Sequence, residues 1–274
     1  MSDSISPLMQ PDSGVSEAGV HGTIDVPTNE RVLQVLACIA RHGQAISAKD
    51  LAAQTGLPLS TLYRHLAPLK KWGWVQEHAQ SGAYEPGPLA VQLAWGFDHH
   101  SYLMAKARPQ IEQLVARSGE SVGLMVYLNG QVICLDMQDS AQALRCSFAK
   151  GRAHSSLRGA SAKALLAFLP GQLQDVLLAQ SDSADSMEAE PLQNPDELRQ
   201  QLQQIRQQRY AVSENEIDQG VWGVSAPVFS AKGKLEASLS LMAPASRAHL
   251  RQNELIQMTL AAADRLSQQL NAHA

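Results

Sequence analysis

From residue 28 onward, apolar residues recur at helical spacing and give way to turn residues at short intervals. Val32, Leu36, Ile39 and Ala40 form the stripe of a first helix, which Thr28 or Asn29 can cap and Gly43 ends. Ser47-Ala-Lys-Asp50 reads as a capping box that opens a short second helix, closed by Gly56 in a tight turn. Leu62, Leu66 and Leu69 then repeat at i, i+4 and i+7 and define the buried face of a third helix within residues 57–75. At about 100° per residue, Ser60, Arg64, Ala67 and Lys71 turn the other way, flanked by Thr61 and Tyr63. Pro68 conflicts with that helix. It removes the donor for the Arg64 carbonyl and predicts a kink, or an end near Ala67.

The pattern then shortens. Residues 74–78 and 83–85 read as strands around a Ser81-Gly82 turn, with Trp72 and Trp74 expected to anchor the pair to the helices. Val91, Leu93, Ala94, Phe97 and Leu103 mark a linker helix with an exposed apolar side. Past Arg108, a helix carrying Ile111, Leu114 and Val115 precedes strands at 121–128 and 131–137, joined by Asn129-Gly130, a strong hairpin signal. Further expectations are a strand at 142–148, a helix at 161–169 ended by Pro170-Gly171, and an acidic loop at 181–195. A helix on Leu198, Leu202, Ile205 and Arg209 follows, then strands at 221–229 and 235–242 around Lys232-Gly233, and a closing helix at 247–270. Helices segregated from hairpins predict an α+β domain around an antiparallel sheet. The boundaries read as a disordered tail at 1–27, a three-helix unit with a hairpin at 28–88, a linker helix at 89–104 and the α+β domain at 105–274.

Two short helices joined by a tight turn read as a helix-turn-helix, or equally as a buried helical hairpin of any kind. The hairpin directly after them is a wing, and the combination points to double-stranded DNA. Ser60, Thr61, Tyr63, Arg64 and Lys71, with Ser47, are the candidate contacts to base edges and phosphates. A winged helix that docks protein is the alternative. The whole chain of 274 residues carries a net charge of −4. Residues 1–28 hold −4, residues 29–88 hold +2 and residues 89–274 hold −2, so the basic excess sits on the winged unit.

Cys38, Cys134 and Cys146 are odd in number and apolar in setting, as reduced thiols in a cytoplasm are. No apolar run reaches a membrane span and no secretion signal is visible. No cofactor motif stands out. Asp98-His99-His100 is a poor metal site, because neighbours on a helix diverge. Catalysis is disfavoured too. Ser161 and Lys163 miss the Ser-x-x-Lys spacing, no Gly-x-Ser-x-Gly is present, and His154 and the serines after it point to opposite faces of an extended segment.

The chain resembles the IclR family of bacterial transcription regulators over about residues 28–272. The resemblance rests on Thr55-Gly-Leu-Pro-Leu-Ser-Thr-Leu-Tyr-Arg64, Gly159-Ala-Ser-Ala-Lys-Ala-Leu-Leu-Ala-Phe-Leu-Pro170, Arg209-Tyr-Ala-Val-Ser-Glu-Asn-Glu216 and Gly220-Val-Trp-Gly-Val-Ser-Ala-Pro-Val228. It implies a winged helix-turn-helix, a linker helix and a GAF-like C-terminal domain that binds a small metabolite. It also implies a homodimer, or a dimer of dimers, repressing or activating catabolic genes. The chain differs from the common family pattern at Leu59, at Pro68, in the Ala160-Ser161-Ala162 stretch and at Gly223. The resemblance assigns the effector pocket to Cys146, Ala160, Ser161, Ser213, Glu216, Gly223, Ser240 and Met242. Helix N–H groups near Ala160, with Ser161 and Ser240, would then face an organic anion. A GAF-like sensor or enzyme that does not bind DNA is the alternative from another class.

Overall fold

The computed structural model describes residues 28–154, 156–181 and 194–272. The tail expected at 1–27 and most of the acidic loop expected at 181–195 lie outside those residues.

Helices α1 (Thr28–His42), α2 (Ala48–Thr55) and α3 (Leu59–Lys71) pack through Val35, Cys38, Ile39, Leu51, Leu62, Leu66 and Leu69. Ala40, expected on the buried stripe of α1, is exposed to solvent on the side away from this core. Ser47 caps α2 as expected, with Asp50 N–H donating to its Oγ at 3.1 Å, but the reciprocal arm of a capping box is replaced: the Asp50 carboxylate accepts from the Ser47 hydroxyl at 2.6 Å. Gly56 ends α2 at φ +68°, a conformation that favours glycine. Helix α3 runs through Pro68 to Lys71. Trp72 N–H donates to the Pro68 carbonyl at 3.0 Å, so the last turn closes beyond the proline rather than ending at Ala67.

The wing is β1 (Val75–Glu77) against β2 (Tyr84–Pro86), in the register Gln76 opposite Glu85. Ile46 pairs with Tyr84 and ties the wing to the turn before α2. Trp74 packs against the core, but Trp72 is 70% exposed and joins no core among the described residues. At the exit of the wing, a Cβ on Gly87 would collide with the Gly73 carbonyl oxygen and lie 2.8 Å from its carbon. Both atoms are backbone and cannot rotate away. Gly87→Ala is therefore expected to cost about 2 kcal/mol, an overpacking penalty read as a lower urea midpoint.

The linker helix α4 (Pro88–His100) stops at Ser101, whose Oγ accepts from Met104 N–H and starts α5 (Tyr102–Ser118). Met104, Ala107 and Ile111 of α5 are buried in the C-terminal core. That domain is a six-stranded antiparallel sheet. Its strands are β3 (Ser121–Leu128), β4 (Gln131–Gln138), β5 (Ala153–His154), β6 (Ala211–Glu214), β7 (Val221–Phe229) and β8 (Leu235–Pro244), in the order β5-β4-β3-β8-β7-β6. Asn129 (φ 48°) and Gly130 (φ 84°) supply the positive φ pair of the tight β3–β4 turn. Helix α5, α9 (Ala245–Ala248) and α10 (Gln252–Asn271) cover one face. Helices α6 (Gly159–Leu166), α7 (Gly171–Ser181) and α8 (Pro195–Gln208) cover the other.

Three expectations are corrected. Residues 142–148 form no strand. Side chains bend the chain locally instead: Ser140 N–H donates to Ser121 Oγ at 2.9 Å, and Arg145 and Ser147 both hold Asp139. The free edge of β4 pairs with β5 in their place. The helix expected at 161–169 stops at Leu166, before Pro170-Gly171, and Gly171 opens a further helix, α7. The closing helix is divided at 249–251 into α9 and α10.

Candidate functional site

Two surfaces carry the candidate chemistry. On the winged unit, Leu62, Leu66 and Leu69 turn inward, while Ser60, Tyr63, Arg64 and Lys71 are exposed and Thr61 is half-buried. Ser47 is exposed at the start of α2, with its hydroxyl engaged by Asp50. Among the described residues neither Arg64 nor Lys71 makes an ion pair, whereas Lys70 is held by Glu77 of the wing. The exposed face of α3 therefore presents a hydroxyl, a phenol and two cations on a rigid helix.

His65, on the inner side of α3, was not singled out from the sequence. It is buried, and among the described residues its Nε2 has no hydrogen-bond partner. Burial first, then the nearby Arg64 and Arg31 charges, hold its pKa below the usual 6.5. An unfolded chain would take up that proton first. The stability carried by neutral His65 is thus complete above about pH 6.5 and is lost as the pH falls below it. Stability is expected to decline from pH 7 to 5, by at most about 1.4 kcal/mol per pH unit for one proton, and His65→Leu flattens that part of the slope. Urea midpoints across the range check it. His154, shifted down by burial and then by Arg152, keeps a residual slope of the same sign.

The second site lies between α6 and the strands β7 and β8. Ala160, Ser161, Ser213, Glu216, Gly223, Ser240 and Met242 line one inner cavity of about 30 Å³. Cys146 lines an adjoining cleft of about 560 Å³, which shares Phe148, Asp218, Val221 and Met242 with the cavity. The structure thus brings all eight expected residues around two neighbouring spaces that share a wall. Phe148, Ile217, Asp218 and Ser225 join them, though the sequence pattern did not mark them.

The N-terminus of α6 is not open. Gly159 N–H donates to Glu216 Oε2 at 2.9 Å and Ala160 N–H donates to Ser213 Oγ at 2.9 Å. Lys163 Nζ lies 2.5 Å from Glu216 Oε1, and Lys163 is only 4% exposed. The donors expected to face an organic anion are therefore held by the chain's own carboxylate and hydroxyl. Ser225 and Ser240 bond to each other. At Gly223 a Cβ would meet Ser213 Oγ at 3.5 Å and Ala160 at 3.8 Å, so this glycine leaves a methyl-sized space. Burial pushes the Cys134 thiol up to about 11 and raises that of Cys146, so neither is a ready nucleophile.

The residues around Asp98 are engaged structurally. Asp98 pairs with Lys150 and Arg108, and His99 stacks on Trp95 with ring centroids 4.3 Å apart. No described helix is long and apolar enough to cross a membrane.

Comparison with known proteins agrees with this architecture. Residues 29–79 match the IclR helix-turn-helix domain, and residues 98–268 match the bacterial transcriptional regulator IclR C-terminal domain. The transcriptional repressor IclR of Escherichia coli is 27% identical over 227 residues, covering 82% of each chain. An IclR family transcriptional regulator from Brucella abortus superposes with a TM-score of 0.74 at 19% identity, over 92% of this chain and 96% of that one. An IclR homologue from Microbacterium hydrocarbonoxydans, solved with 4-hydroxybenzoate, gives 0.68 at 20% identity, over 89% of this chain and 99% of that one. With both domain models matched in order on a winged helix, a linker and an α+β domain, the chain belongs to the IclR family of bacterial transcriptional regulators.

Proposed function

We propose that this regulator acts in the cytoplasm, reads operator DNA as a homodimer through the exposed face of α3, and changes its DNA affinity when a small organic or aromatic acid enters the α6–β8 site. The observation that carries the DNA reading is the division of α3 into a buried leucine face and an exposed face with Ser60, Tyr63, Arg64 and Lys71. A fragment from upstream of its own gene should bind about a thousandfold more tightly than a scrambled fragment of equal length at the same salt. Equal affinity would favour the alternative, a sensor whose winged helix docks protein.

An acid is favoured as ligand because a carboxylate, that of Glu216, already rests on the Gly159 N–H and beside Lys163. An effector carboxylate would take those donors as Glu216 yields. The 4-hydroxybenzoate held by the Microbacterium relative is of this class.

The homodimer is supported by α4. None of its residues is buried, and Val91, Leu93, Trp95 and Phe97 are 42–70% exposed. A monomer rarely leaves so much apolar surface in water, and paired readers match two half-sites. Trp95→Glu should raise the dimer dissociation constant at least about thirtyfold, as loss of a buried aromatic anchor does. Sedimentation at micromolar concentration reads it, and a wild-type monomer bound to DNA would defeat the dimer.

A further inference from the structure

The effector cavity and the DNA reader belong to different domains, so a signal between them crosses the linker. One stretch of chain touches every part of that route. Residues 144–148 wall the outer cleft, and Phe148 reaches the inner cavity as well. Two residues on, Lys150 Nζ lies 2.6 Å from Asp98 Oδ1 of α4 and 3.6 Å from Asp136 Oδ1 of β4. Arg108 of α5 completes the cluster, with Nε 3.3 Å from Asp136 Oδ2 and Nη1 donating to the Asp98 carbonyl at 2.9 Å. One residue further, Gly151, together with Ala153, lines an interdomain crevice of about 450 Å³ whose opposite wall is Gln34, Ala37, Ala40 and Arg41 of α1.

The stretch is braced so that a displacement at one end reaches the other. Gly151 N–H donates to the Cys134 carbonyl at 2.7 Å, and Cys134 N–H donates to the Arg152 carbonyl at 3.2 Å. Lys150 therefore sits on a turn clamped to β4. Phe148 packs on the His154 ring at 4.1 Å, across the same turn. The four charges are partly exposed, so the pairs add little to stability. Their value is positional. Lys150 stands between two carboxylates, one on the linker helix and one on the sheet, and can hold either more closely. Such a pair of discrete arrangements is what coupling between distant sites requires.

We propose that Lys150 is the positioning residue that passes the state of the effector cavity to α4. With the cavity as it stands, Lys150 holds Asp98 and fixes the linker. When the wall at Phe148 is pushed outward, Lys150 moves onto Asp136 and leaves Asp98 to Arg108 alone, so α4 loosens, and with it the winged unit. This rests on the reading of the α6–β8 cavity as the effector site.

The test uses the full chain and needs no effector. Ser161→Leu overfills the inner cavity and serves as the probe of wall displacement, with Ser161→Val in reserve should the larger side chain prevent folding. Hydrogen exchange of the α4 amides, and affinity for a DNA sequence enriched from a random pool by the wild type, are measured for wild type, Ser161→Leu, Lys150→Met and the double variant. Ser161→Leu alone should change both at least about fivefold, the lower end of ordinary coupling. In the Lys150→Met background both changes should fall below about twofold, and Lys150→Arg, which keeps the charge, should restore them. Equal changes in the Lys150→Met background, or no change in α4 from Ser161→Leu, overturn the proposal. A wild type that enriches no sequence overturns the regulatory reading instead, and the exchange measurement still decides the role of Lys150.

Discussion

Arg64→Ala is expected to cut sequence-specific DNA binding by at least about thirtyfold and to leave the fold standing. Arg64 projects from the exposed face of α3, one turn beyond Ser60, and lies outside the Leu62, Leu66 and Leu69 core. A bidentate arginine contact to a base is worth about 1–3 kcal/mol. A two-fold dimer loses it twice, so operator affinity falls by about 2–6 kcal/mol, from about thirtyfold to more than ten-thousandfold. An exposed side chain of this kind changes unfolding free energy by less than about 0.5 kcal/mol. Anisotropy with a labelled operator at one fixed salt concentration, beside a thermal melt, reads both. Unchanged operator affinity would take Arg64 out of the reading role.

Lys163→Met is expected to destabilise the C-terminal domain by about 3 kcal/mol, the lower end of what breaking a buried ion pair costs, because Glu216 remains partly exposed. The substitution keeps the length of the buried stem and deletes the ammonium. It leaves the Glu216 carboxylate in the cavity with the Gly159 N–H still donating to it. Lys163→Met with Glu216→Gln removes both charges and should recover most of the loss, since two neutral groups need no mutual compensation. Urea unfolding of the single and double variants decides it. A loss below about 1 kcal/mol in the single variant would show that the pair holds little of the fold.

The parts of this molecule that were legible in the sequence are those fixed by local rules. The spacing of Leu62, Leu66 and Leu69 determines which face of α3 is buried. Ser47 caps α2 through the Asp50 N–H, a contact made within four residues. Asn129 and Gly130 turn the chain through their own backbone preferences. Once these elements were placed, the helix and hairpin order was enough for the architecture.

What stayed hidden depends on contacts between distant residues. Lys163 and Glu216 are 53 positions apart, and nothing near either one announces that Glu216 caps α6. Residues 142–148 carry a strand-like pattern, but Asp139 collects Arg145 and Ser147 and bends the chain away from β4. Pro68 carries a strong local signal against a helix, and the packing of Leu66 and Leu69 on the winged core overrides it. The pocket residues were carried by a resemblance, whereas Phe148 and Asp218 join the site only through the irregular path of the loops that hold them.

A titration joins the two ends of the molecule. The protein–operator complex, at fixed salt, is titrated with 4-hydroxybenzoate and a panel of other small carboxylic acids, wild type beside Ser161→Leu. Regulation through the α6–β8 site predicts that at least one acid shifts the wild-type operator dissociation constant about tenfold or more, a coupling of about 1.4 kcal/mol, and that the same acid leaves the Ser161→Leu complex unmoved. An acid that acts equally on both proteins, or a wild-type complex that responds to none of them, would contradict it.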